Sequence, residues 1–97
     1  MPSTVALDIP TTALLVMDYQ NGIVEGYAAD RDALLARTAH FIAAARRASI
    51  RVIYVVVGFR AGYPEANRDN PIFGAIRESG RFAAGDPTAE IHPTVAP

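Results

Sequence analysis

The segment Arg51–Val57, RVIYVVV, constrains this chain more than any other. It is short, rich in β-branched residues and apolar on both faces, which suits a strand buried between two covering layers. Gly58 ends it. A second such run, Thr12–Asp18, TALLVMD, lies upstream and closes on an acid. The connection from Tyr19 to Ile50 is long enough for a helix, so the two runs are expected to pair in parallel as a βαβ unit. Their carboxyl ends then share one side of the sheet. Val55→Asp is expected to be severely destabilising, because a charge would enter a dry core.

The crossover helix is expected over Asp30–Ala48. Asp30 is a candidate N-cap, Asp32 adds negative charge to the first turn, and Arg46 and Arg47 sit where the dipole favours cations. Leu34, Thr38, Phe41, Ala45 and Ala48 form a stripe at helical spacing, widened by Leu35 and Ile42. The stretch with Asn21-Gly22 and Gly26 reads as a loop, and Met1–Pro10 as an extended lead-in. Downstream, Asn70-Pro71 reads as an N-cap with Pro at the first helical position. Ile72, Phe73 and Ile76 would form the buried side of a two-turn helix that Gly80 stops. Gly85-Asp86-Pro87 marks a turn.

No third strand follows. One parallel partner and one long helix cannot cover both faces of VIYVVV. The fold class is therefore α/β, with this chain supplying the first half of a doubly wound parallel sheet.

Composition narrows the chemistry. The 97 residues are 51% apolar and 20% charged, which is a globular balance. A formal net charge of −1 leaves no basic excess for nucleic acid. All nine basic residues are Arg, and Cys is absent. These 97 residues therefore hold no disulfide, thiol nucleophile or Schiff-base lysine. No signal peptide or membrane-length apolar run is present, so a soluble, cytoplasmic location with no membrane partner is expected.

Asp18 is the first candidate for chemistry. It stands at the carboxyl end of a strand, where open α/β sheets form their ligand crevice. A carboxylate there can serve as a base, or can simply cap a loop. Gln20 and Asn21 suit hydrogen bonds to backbone in the following loop. Arg60 follows the second strand, and either grips a substrate carboxylate or pairs with a surface acid. Tyr19, Phe59, Tyr63, Phe73 and Phe82 either line a pocket or anchor loops on the core. His40 falls on the solvated side of the helix and His92 in a terminal loop, so neither suggests a metal site. No G-x-G-x-x-G or Walker motif points to a phosphate loop, and no cofactor is expected.

TALLVMDYQNGIV resembles the opening of the isochorismatase-like cysteine hydrolases, in which an apolar strand ends in Asp followed by a Gln/Asn-containing turn. RVIYVVVGFRAGYPE looks like that family's second strand and loop. NPIFGAIRESGRFAAGDPTAEIHPTVAP looks like the long connection after it. The resemblance implies a three-layer α/β/α fold with a Rossmann-like parallel sheet. It also implies an Asp-Lys-Cys triad hydrolysing small molecules such as isochorismate, nicotinamide-like amides or ureido acids. Only the Asp carries over, onto Asp18, with Tyr19, Phe59 and Arg60 as pocket candidates. The nicotinamidase branch adds a metal site after the second strand. Here that stretch reads GFRAGYPE, so no metal is expected.

On this reading residues 1–97 are the N-terminal part of one hydrolase domain, incomplete and inactive alone. The partners expected are a small-molecule substrate and a downstream segment or second chain supplying Lys and Cys. A homo-oligomer is expected when complete. The competing reading is a truncated, non-catalytic binding or assembly module of the same fold.

Overall fold

The computed structural model describes residues 6–67 and 69–97. Two parallel strands, β1 (Ala13–Met17) and β2 (Arg51–Val55), form the sheet. Their register runs from Ala13 opposite Arg51 to Met17 opposite Val55. Between them lie helices α1 (Asn21–Tyr27) and α2 (Arg31–Arg47), and α3 (Pro71–Ser79) follows β2. The α/β class and the parallel pairing are as the crossover length requires. Among the described residues no helix is long and apolar enough to cross a membrane.

Residues 1–5 of the expected lead-in lie outside the described residues. The rest of it is not simply extended: Ile9–Thr11 forms a 3-10 turn, with Pro10 inside it. A larger difference is α1, expected as loop. Gly22 and Gly26 each cost a helix about 1 kcal/mol relative to Ala. Tertiary packing outweighs that cost here. Val24 is buried, and Gly22 lies so close to its neighbours that an added Cβ would meet Phe82 Cζ at 2.8 Å and Thr88 Cβ at 2.9 Å. Gly22→Ala is therefore expected to cost about 1–3 kcal/mol through overpacking, read as a lowered Tm in the intact protein. An unchanged Tm would mean that Phe82 and Thr88 yield freely.

The face of α2 that meets the sheet keeps part of the expected stripe and leaves part of it outside. Leu35, Ile42 and Ala45 are buried, whereas Phe41 is 64% exposed. The inward side chains of the strands, Leu14, Val16, Val52 and Tyr54, pack with Leu35, Ile42 and Val95. The Tyr54 hydroxyl donates to the Val95 carbonyl at 2.5 Å and so pins the C-terminal stretch to this core.

The opposite face of the sheet is open. Leu15 and Met17 are each 52% exposed, Ile53 is 45% and Val55 is 37%. One partner strand and one long helix thus leave the second face of these strands partly uncovered, as expected.

The ends of α3 are as expected. Asn70 Oδ1 accepts from the Ile72 and Phe73 amides, and Gly80 closes the helix at φ 73°. Its apolar side is not buried, however: Ile72 is 69% exposed and Phe73 39%. A second core holds Phe59, Tyr63, Ala66 and Phe82. Asp86 caps the 3-10 turn Pro87–Ala89, accepting from the Thr88 amide and hydroxyl. Those bonds hold its carboxyl below the usual carboxylate value, the Thr88 hydroxyl contributing most.

Candidate functional site

The chain leaves the sheet at Asp18. Its amide still donates to the Val55 carbonyl at 2.9 Å, the last backbone rung from β1. Its φ is 63°, in the left-handed region that Asp enters more readily than most residues. The strand direction is broken there, at the carboxyl end of the sheet. Asp18 is half-buried and lines a cavity of about 280 Å3 with Met17, Tyr19, Val24, Tyr27 and Leu34. Backbone held in a sparsely populated region at such a crevice is a common mark of a functional turn.

Tyr19 shares that cavity. Its hydroxyl accepts a 2.9 Å bond from Thr38 on α2, and its carbonyl accepts from the His92 amide at 2.8 Å. Gln20 turns inward and is fully buried. Its Oε1 accepts from the Val57 amide at 2.8 Å. Its Nε2 donates to the Val57 carbonyl at 2.5 Å and to the Ala89 carbonyl at 2.7 Å. Gln20 and Asn21 do bond to backbone, but not in the following loop where those bonds were expected. They reach across the fold, Asn21 Nδ2 donating to the Pro87 carbonyl at 3.0 Å.

Phe59 and Arg60 lie elsewhere. Phe59 is buried in the second core, 5.3 Å from the Tyr63 ring and 5.9 Å from the Phe73 ring. Its peptide pairs with Phe82 and Ala84, bringing the long excursion back beside the end of β2. Arg60 Nε sits 2.6 Å from Glu65 Oε1 on the exposed surface. That contact is the main cause holding the Glu65 carboxyl below its usual value. Neither Phe59 nor Arg60 lines the Asp18 cavity. Phe59 serves as a core anchor and Arg60 as an ion-pair partner, the alternatives their positions allow from the start.

His40 is exposed, and His92 Nδ1 accepts from the Thr94 amide at 3.2 Å. Among the described residues no group of three or more His, Asp or Glu side chains is placed to hold a metal.

The arrangement is an acid at the carboxyl edge of a parallel sheet, backed by a buried amide and followed by an excursion that folds back on the crossover. Residues 12–97 match the family described as the isochorismatase domain. The chain belongs to the isochorismatase family. A comparison with curated proteins gave no match. The matched span runs from the start of β1 through α3 and the final loop, so the isochorismatase assignment rests on the whole βαβ unit and the excursion, not on the Asp18 turn alone.

A larger apolar groove of about 790 Å3 lies beside the Asp18 cavity, between α1 and α3. Ile23 and Tyr27 line both. Sequence reasoning did not find it, because it depends on α1 being a helix and on α3 keeping Ile72 and Phe73 at the surface.

Proposed function

We propose that this isochorismatase-family chain supplies the general base of a small-molecule cysteine hydrolase, and that Asp18 is that base. The observation that carries the reading is Asp18 itself, half-buried at the strand end and turned out of the ladder at positive φ. In the proposed reaction a cysteine thiol attacks an electrophilic carbon such as a carbonyl. Asp18 accepts the thiol proton and later returns it to the leaving group, while a Lys stabilises the thiolate and the developing negative charge. Water then cleaves the covalent intermediate.

The 97 residues contain neither Cys nor Lys. The proposal therefore requires a downstream segment or a second chain to bring both to Asp18. The open sheet face supports that requirement. Leu15, Met17, Ile53 and Val55 form an apolar surface of the kind that a further layer covers in parallel α/β sheets. On this reading residues 1–97 are the N-terminal part of one hydrolase domain that assembles as a homo-oligomer. The same open face also supports a second reading, a non-catalytic assembly module whose partner covers the sheet without providing a thiol.

Thiol alkylation separates the two. The intact protein is incubated with small amides and esters before and after treatment with iodoacetamide. Hydrolysis that disappears on alkylation is expected. Hydrolysis insensitive to alkylation would sink the cysteine mechanism, and no hydrolysis with a covered sheet would favour the assembly module.

A further inference from the structure

Gln20 is the only fully buried polar side chain among the described residues, and all three of its hydrogen bonds go to backbone far away in sequence. Where they go is informative. The backbone ladder between β1 and β2 ends with the Asp18 amide on the Val55 carbonyl. The next inward-facing peptide groups on that edge of β2 belong to Val57. Both are taken by the Gln20 amide, Oε1 on the N–H and Nε2 on the C=O. A side-chain amide carries the same donor and acceptor as a peptide. Gln20 thus stands in for the strand backbone at the point where the chain has turned away.

Were β1 to continue straight, its own main chain would meet the Val57 peptide groups. Asp18 would then keep an ordinary strand φ. The third bond, to Ala89, ties the 3-10 turn and the Gln20–Ile91 bridge to the same point. Three segments are thus clamped together two residues from the candidate base.

We infer that Gln20 is the positioning residue of the site: by replacing the missing rung to Val57, its amide holds Asp18 in the left-handed turn at the mouth of the crevice. The inference deepens the reading of Asp18 as the base and rests on it for its functional meaning.

The variants are Gln20→Leu and Gln20→Glu in the intact protein. The readout is the three-bond HN–Hα coupling and carbon shifts of Asp18, which report its φ, together with hydrogen exchange at Val57. In Gln20→Leu the Val57 amide should exchange at least about tenfold faster, as expected for a half-buried donor left without its partner. The positive-φ signature of Asp18 should vanish, while amides at the centre of the β1–β2 ladder stay protected. Retention of the Asp18 signature would overturn the inference.

Gln20→Glu keeps the test decisive if Gln20→Leu fails to fold. A protonated Glu has one donor and one acceptor and can replace most of the clamp. An ionised one sets an oxygen against the Val57 and Ala89 carbonyls. Burial and those two carbonyls raise the folded pKa of the new carboxyl above its unfolded value. Its stabilising contribution is therefore present at acid pH and lost as pH rises through the raised value. The Asp18 signature should follow, present at low pH and absent at neutral pH, with the parent protein unchanged over the same range. A signature that does not respond to pH in this variant would overturn the inference. Turnover should fall with the signature through kcat rather than KM. Full turnover without the signature would also refute the positioning role, whereas full turnover in Asp18→Asn would instead refute the reading of Asp18 as base.

Discussion

Asp18→Asn in the intact protein is expected to fold normally and to lose about 10²–10⁴-fold in turnover. Asn keeps the size of the side chain and part of its hydrogen bonding. It also tolerates positive φ as well as Asp does, so the turn at φ 63° survives the substitution. What it cannot do is take a proton. The loss should fall on kcat, because the change removes a proton acceptor and leaves the Met17, Tyr19, Tyr27 and Leu34 walls of the cavity in place. Steady-state kinetics paired with a thermal melt make the measurement. Equal rates for the two proteins would return Asp18 to a purely structural role at the strand end.

The second large effect concerns the two faces of the sheet. Val16 is 4% exposed and packs against Leu35 and Ile42, so Val16→Asp places a carboxylate in an apolar core with no partner. A cost of about 4 kcal/mol or more is expected, comparable with the whole stability of many domains. The protein should be largely unfolded or recovered only as aggregate. Val55 lies on the opposite face and is 37% exposed within this chain. Val55→Asp therefore reports on what covers that face in the intact protein. A loss as large as that of Val16→Asp is expected if a further layer lies there. A shift in Tm of only a degree or two would mean that the face is open to water and would refute the proposed cover.

Local physics made several elements legible in the sequence. RVIYVVV and TALLVMD are short, apolar and bounded by a glycine and an acid, so their strand character needs no long-range information. The distance between them forces a crossover and hence a parallel pair. Asn70-Pro71 and Gly80 define the ends of α3 through chemistry confined to a few residues, a side-chain cap on two amides and a left-handed stop. The family resemblance carried in the same segments agrees with the isochorismatase match across residues 12–97.

Other features were decided only by tertiary structure, and for physical reasons. Helix α1 contains two glycines that argue against it locally; it forms because Gly22 allows a close approach to Phe82 and Thr88 that no larger residue would. The inward face of α2 is set by where the sheet lies, which brings Leu35 and Ile42 to Val16 and leaves Phe41 outside. Phe59 and Arg60 follow β2 as the sequence shows, but the return of the chain at Phe82–Ala84 turns one into the core and leaves the other to Glu65. Gln20 is the clearest case. Its residue type announces a hydrogen-bonding amide, whereas its partners lie 37 and 69 residues away, and no local pattern encodes a contact at that separation. The sequence by itself determined the strands, their direction and the acid at their end; the packing of distant segments decided which face each helix buries and how that acid is held.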